Sequence, residues 1–143
     1  MNVCIDTNVC LRFLIGDDDK KLTSTKQFFE SAQQGELRLY ISSIVLLEIY
    51  WVLSSLYKYS KRQAQNALQK IMLIRNLVIV DSTDFRAAFV LHKKTGVKLA
   101  DCLIATQVGK GIVLCTYDTE FKKFSFLTSA EPGDIVKKIH KFS

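Results

Sequence analysis

The chain has very little that breaks regular structure. Its 143 residues include a single proline, Pro132, and only six glycines. That scarcity excludes a loop-rich or low-complexity protein and predicts regular elements joined by short connections. A membrane span is also missing. The longest apolar candidate, Ile44 to Leu56, is interrupted by Glu48 and ends in Ser54-Ser55, short of the roughly 18 apolar residues a span requires. No CxxC pair occurs among the four cysteines, Cys4, Cys10, Cys102 and Cys115. Their spacing with His92 or His140 matches no zinc pattern, and each sits among apolar neighbours, as buried free thiols do. The first residues carry neither a basic n-region nor a small-residue cleavage site, so a cytoplasmic location without disulfides is expected. No repeat or linker divides the chain. Length predicts one domain over residues 1–143, large enough to bury a real core.

What the chain has in quantity is apolar surface and positive charge. Hydrophobic residues make up 48% and the mean hydropathy is +0.12. That is the apolar end for a water-exposed protein and leaves apolar surface for a partner to cover. Twenty lysines and arginines against fourteen acids give a net charge of +6. The bases are dispersed, at Lys20-Lys21, Lys58, Lys61-Arg62, Lys93-Lys94, Lys98, Lys122-Lys123 and Lys137 to Lys141. This balance suits RNA or DNA. It equally suits a merely solvated surface, and charge alone leaves both open.

Short β-rich runs alternate with longer helical patterns. Strands are expected at Asn2–Asp6, Leu37–Ile41, Leu77–Val80, Gly111–Cys115 and, from a weaker pattern, Ser125–Leu127. Helices are expected at Asn8–Leu14, Lys20–Gln34, Ile44–Tyr57, Lys61–Arg75, Asp84–Lys94, Leu99–Val108 and Ile135–Lys141. Ser43 is a candidate cap for the third helix, and Thr83 or Ser82 for the fifth. The alternation, with apolar strands, predicts an α/β fold with a mainly parallel sheet covered on both faces.

In such a fold all strands end on one edge of the sheet and the helices begin there. An acid just after a strand or early in a helix therefore reaches a common rim, where open α/β sheets bind their ligands. Asp6 ends the first strand. Glu48 lies about 7 Å along the third helix, with its side chain tilted back toward the helix start. Asp101 opens the helix Leu99-Ala100-Asp101-Cys102. Asp118 follows the fourth strand after Thr116-Tyr117, and Glu120 comes two residues later. Taken singly, Asp6 and Asp101 could be caps or helix-dipole partners and Asp118 a turn residue. Glu48 and Asp101, however, interrupt strongly apolar segments, where a charge is costly unless it is paired or binds a metal. Several carboxylates on one rim cannot all stay ionised without a cation or a shared proton. An all-oxygen set is hard and suits Mg²⁺ or Mn²⁺. Such ions activate water and shield phosphate charge, so hydrolysis of a phosphodiester is the chemistry implied. Asp17-Asp18-Asp19 precedes the helix at Lys20, where acids favour the dipole, and reads as that rather than as a metal loop.

The ordered set Ile5-Asp6-Thr7-Asn8-Val9, Glu48, Leu99-Ala100-Asp101-Cys102-Leu103-Ile104-Ala105 and Thr116-Tyr117-Asp118-Thr119-Glu120-Phe121 resembles the PIN-domain ribonucleases. Chain size and layout are most like the VapC toxins of bacterial toxin–antitoxin pairs. The resemblance implies a three-layer α/β/α fold with strand order 3-2-1-4-5 and Mg²⁺- or Mn²⁺-dependent endonucleolytic cleavage of RNA. It implies that Asp6, Glu48, Asp101 and Asp118 are the catalytic, metal-holding acids, with Asp6 and Asp101 foremost. Thr7, Asn8 and Thr116 would orient them. Glu120 would either share the role of Asp118 or be plain surface. The resemblance also implies an antitoxin partner and homodimers. The helix from Ile44 is apolar on nearly every side, so partner contacts are expected at Trp51 and Tyr50, with Phe28 and Phe29 lining the same groove.

Other readings meet obstacles. Haloacid dehalogenase-like phosphatases need a second aspartate two residues after the first, where this chain has Asn8. Receiver domains need a lysine after a late strand, where it has Asp118. A non-catalytic PIN-like module that only binds RNA or protein remains the alternative, although such a module would be expected to have lost some of these acids.

Overall fold

A computed structural model of the chain describes residues 1–16 and 19–142, with Asp19 through its backbone alone. The reading of Asp17-Asp18-Asp19 as helix-dipole acids lies outside the described residues. The elements follow the chain as β1 (Asn2–Ile5), α1 (Thr7–Ile15), α2 (Asp19–Gln33), β2 (Arg38–Ser42), α3 (Ser43–Ser55), α4 (Lys61–Met72), β3 (Leu77–Val80), α5 (Phe85–Thr95), α6 (Leu99–Gln107) and β4 (Val113–Cys115). A short 3-10 turn (Thr119–Lys123), β5 (Ser129–Ala130) and α7 (Pro132–His140) complete it.

The five strands form one parallel sheet in the order β3-β2-β1-β4-β5, flanked by helices as a three-layer α/β/α fold. β1 is central. Its Val3, Cys4 and Ile5 are all buried, and successive strand side chains point to opposite faces, so both faces of the sheet are covered there. β3 is an edge strand and leaves Ile79 exposed. The chain runs outward from β1 to β2 and β3, then crosses back to β4 on the other side of β1. The switch in strand order therefore falls between β1 and β4, where such sheets carry their sites. α2 packs on α7, α5 on α6, α3 on α4, and α1 on both α2 and α3.

Local chemistry sets the boundaries. Gly16 and Gly96 take left-handed φ values of 72° and 71° and close α1 and α5, their N–H groups returning to Arg12 and His92 carbonyls. Glycine adopts that conformation without the Cβ penalty. Ser60 and Gln63 form a reciprocal capping box at the start of α4. Two cap assignments shift by a residue or two. Ser42, not Ser43, caps α3 by accepting from the Ile44 N–H at 3.1 Å, while the Ser43 hydroxyl donates to Asp81 at 2.7 Å. Asp84, not Ser82 or Thr83, caps α5 through the Ala87 N–H at 3.0 Å.

The fifth strand is Ser129–Ala130 rather than Ser125–Leu127. The Leu127 N–H instead returns to the Phe124 carbonyl at 3.2 Å, which makes that stretch a turn anchored by the buried Phe124. All four cysteines are buried, unpaired thiols. Among the described residues no helix is long and apolar enough to cross a membrane.

Candidate active site

Asp6 sits where β1 becomes α1. Its N–H donates to the Cys115 carbonyl at 3.0 Å and extends the β1–β4 pairing by one residue. Its side chain caps α1, with Oδ1 accepting from the Thr7 N–H at 2.8 Å. Oδ2 accepts from the Thr116 hydroxyl at 2.7 Å. The carboxylate is only 3% exposed, so burial raises its pKa. The Thr116 and Thr7 hydrogen bonds oppose that rise, and the charge of Asp118 adds to it. Both oxygens are oriented by donors yet keep lone pairs for another partner.

Thr116 is the joint between two acids. It donates to Asp6 and accepts from the Asp118 N–H at 2.9 Å. Its own N–H is bonded to Ala130 in β5 at 3.0 Å. The short edge strand absent from the sequence reading is thus what fixes the residue holding Asp6. Asp118 then caps the 3-10 turn through the Glu120 N–H at 2.9 Å. Glu120 is turned outward into a 2.9 Å ion pair with Lys123, both about half exposed. That pairing commits its charge to the surface, although it still raises the pKa of Asp101 as the smallest of several influences.

Glu48 lies over a turn into α3, where the helix is otherwise apolar. Burial pushes its carboxyl up from 4.5 to about 7, helped by the charges of Asp101 and Asp6 and opposed by Thr7 and Lys98. Thr7 faces it closely enough to lower its pKa, yet the Thr7 hydroxyl and Glu48 Oε1 are both buried without a completed hydrogen bond. Buried oxygens left without a donor are costly, and a water or an ion would satisfy them. Asp101, in the first turn of α6, is pushed from 3.8 to about 6 by burial and then by Asp6 and Asp118, with Lys98 opposing. Asn8, exposed on the first turn of α1, lines a hollow with Asp118.

Asp6, Glu48, Asp101 and Asp118 therefore share one electrostatic neighbourhood at the switch point. Among the described residues no three of them stand together as a finished metal cage; they reach one another through their fields rather than through contact. The donor set still fits a hard cation: it is all oxygen, the pKa values of Asp6, Glu48 and Asp101 are raised in part by other acids of the set, and it contains unsatisfied buried oxygens. A hollow of about 630 Å³ lies elsewhere, between α2 and α7, and none of these acids lines it.

Lys98 was missed in the sequence. It precedes α6 by one residue, and its charge reaches both Glu48 and Asp101. Its position three residues before Asp101, on the same helical face, was the available signal. The partner contacts need correction. Phe28 and Phe29 are buried in the core, 0% and 3% exposed, and Phe29 packs on Phe13 with ring centroids 4.3 Å apart. α2 is covered by α1 and by α7, which leaves these rings no groove to line. Tyr50 is half-buried against the core, whereas Trp51 is 61% and Leu47 70% exposed on α3.

A sequence profile of the PIN domain matches residues 3–127. A VapC ribonuclease of Aquifex aeolicus (strain VF5) is 31% identical over 127 residues, 87% of this chain and 93% of that protein. Among solved structures, VapBC2 from Rickettsia felis, bound to a DNA fragment from its promoter, superposes with a TM-score of 0.70 at 24% identity. It covers 92% of this chain and 98% of its own. VapBC-1 from nontypeable Haemophilus influenzae gives 0.66 at 19% identity with the same coverage. The two structures share the fold, and the profile and the Aquifex relative carry the relationship further: the chain belongs to the PIN-domain family, among its VapC-like members.

Proposed function

We propose that the protein is a VapC-type endoribonuclease, the toxin half of a toxin–antitoxin pair, that hydrolyses RNA phosphodiester bonds with Mg²⁺ or Mn²⁺. The observation that carries the reading is the gathering of Asp6, Glu48, Asp101 and Asp118 at the β1–β4 switch point, each of the first three pushed upward in pKa by burial and by another acid of the set. The likeness to a VapC ribonuclease supports it. Asp6 and Asp101 are the principal ligands in this reading, and Glu48 and Asp118 complete the set. Thr116 and the Thr7 N–H aim the two oxygens of Asp6. When bound, a divalent ion would lower the pKa of a water and shield the charge of the scissile phosphate.

The partner in this reading is a VapB-like antitoxin, as in the VapBC neighbours. Leu47 and Trp51, one helical turn apart and both exposed, form the apolar strip it would cover. A basic antitoxin side chain entering the acidic rim would compete with the ion. A homodimer and a cytoplasmic location belong to the same proposal. The second reading is a non-catalytic PIN-like module, and the absence of a finished three-acid cage among the described residues is the observation on its side.

Cleavage of RNA that needs Mg²⁺ or Mn²⁺ and stops with chelator supports the enzyme; binding indifferent to metal supports the module. Asp6→Asn and Asp101→Asn should each abolish cleavage with the circular dichroism spectrum unchanged. Asparagine caps a helix about as well as aspartate, so α1 should survive the first change. Full activity in either variant refutes the assignment.

A further inference from the structure

A second hollow, about 340 Å³, opens beside the acidic rim, and its lining includes Asn8, Arg12, Lys21, Tyr57, Tyr117 and Asp118. It lies near the lower end of the roughly 300–1,000 Å³ of small-ligand sites, a size for one nucleotide rather than a duplex. Tyr117, one of the lining residues, is held in place. Its hydroxyl lies 2.8 Å from the Thr25 hydroxyl and 3.0 Å from the Lys21 carbonyl. Two cations gather over this ring, the Arg12 guanidinium carbon at 4.8 Å and the Lys21 ammonium at 5.1 Å from its centroid. Both lie within cation–π reach.

The chain ties this cationic seat to the acids. Tyr117 stands between Thr116, which donates to Asp6, and Asp118. A polyanion entering an acidic rim is repelled by it, and a fixed pair of positive charges alongside offsets that repulsion. Tyr57, just beyond α3 and 43% exposed, adds an aromatic ring to the same hollow. Bases stack on such rings whatever their sequence. Phosphate-binding charge, a stacking ring and room for one unit describe single-stranded RNA better than a protein segment.

We propose that this hollow seats the nucleotide beside the cleaved bond, with its phosphate held by Arg12 and Lys21 and its base stacked on Tyr57. The inference rests on the ribonuclease reading and adds to it the residues that hold one nucleotide of the substrate.

The test measures binding separately from cleavage. A short fluorescein-labelled single-stranded oligoribonucleotide is titrated, by anisotropy and over a salt series, into the full chain carrying Asp6→Asn so that the RNA stays intact. Arg12→Gln and Lys21→Gln should each weaken binding and lower the slope of log affinity against log salt by about 0.7, the value for one phosphate contact on a single strand. Tyr57→Ala should weaken binding by about tenfold with the slope unchanged. Arg12→Lys, which keeps the charge over Tyr117, should keep the slope and guards against misfolding of the glutamine variant. Wild-type affinity and slope in the glutamine variants overturn the proposal. If those variants instead lose a partner protein, the hollow is a protein seat and the proposal is equally overturned. The two readings fail separately. Unchanged RNA binding in variants of a chain that cleaves RNA sinks only the nucleotide seat. Weakened binding in variants of a chain that cleaves nothing with Mg²⁺ sinks the nuclease, and with it the placement beside a cleaved bond, and leaves the hollow as an RNA seat.

Discussion

Glu48→Gln should make the metal-free protein more stable, and the gain should grow with pH. The Glu48 carboxyl is pushed from 4.5 to about 7, and that of Asp101 from 3.8 to about 6. An acid raised in this way is a burden only where the fold must carry it ionised. Below about pH 4 it is protonated in both folded and unfolded chains and the stability is fully present. As the pH rises toward 7 the unfolded chain releases its protons first, the folded chain holds more of them, and stability falls. At about 1.4 kcal/mol per pKa unit the Glu48 rise alone has a ceiling of about 3 kcal/mol. Its side chain is partly open to solvent, and screening reduces this to about 1–2 kcal/mol. Urea unfolding in chelator at about pH 5 and about pH 8 measures it, because the midpoint moves while the exposed surface does not. The wild type should be the less stable at the higher pH, and the glutamine variant should close about half of that gap. On the proposed metal assignment, added Mg²⁺ should restore the wild type at the higher pH and restore the variant less, as a ligand of the folded acids alone would. A wild-type stability that rises over this window, or a glutamine variant that is weaker at the higher pH, would refute the electrostatic argument.

Thr116→Val leaves the buried Asp6 Oδ2 without its donor; thermal unfolding should show a loss of about 1–3 kcal/mol, and the acidic limb of the cleavage pH profile should move upward as Asp6 becomes harder to ionise. Trp51→Ala, at an exposed site, should change stability by no more than about 0.5 kcal/mol, while a pull-down with the cognate antitoxin should lose most of its signal. Phe28→Ala should behave the opposite way, lowering unfolding free energy by about 3–5 kcal/mol as a fully buried ring is removed; a stable Phe28→Ala protein that fails only in partner binding would make Phe28 a contact residue and not a core one.

The layout of the fold was legible because its strands are short apolar runs set between breaker-poor helices. β1, β2, β3 and β4 lie within a residue or two of their expected places. β5 was not legible, and the reason is physical. An edge strand of two residues needs no apolar pattern; it exists because the Leu114 and Thr116 N–H groups bond to the Thr128 and Ala130 carbonyls at 2.9 and 3.0 Å. The stretch beside it, Ser125–Leu127, has the stronger β pattern, but it is a turn anchored by the buried Phe124, with Phe126 exposed. Cap positions slipped for a similar reason. Asp84 and Ser42 each have a hydroxylic or acidic neighbour of equal capping propensity, and only the backbone's φ and ψ choose between them.

At the site, sequence order placed acids at strand ends and helix starts, and a parallel sheet carries all such positions to one edge whatever the details of packing. That is why Asp6, Glu48, Asp101 and Asp118 could be grouped from residues far apart in the chain. The same logic contains no rule for cations, because lysines and arginines are long, exposed and permissive of many positions. The Arg12–Lys21 pair over Tyr117 therefore emerged only with side chains in place, whereas Lys98 had only its spacing from Asp101 to mark it. Phe28 and Phe29 failed for a third reason. Two adjacent aromatics point about 100° apart on a helix, too wide for one narrow contact stripe. That spread reads as spare surface in a sequence. In the fold it is the wide buried arc of a helix with α1 and α7 both packed on it. The exposed apolar side chains nearest the acids are on α3, where Leu47 and Trp51 flank the helix position of Glu48. A partner docked on that strip would sit within a helical turn of a site acid, so its binding and the occupancy of the acidic rim should be thermodynamically linked.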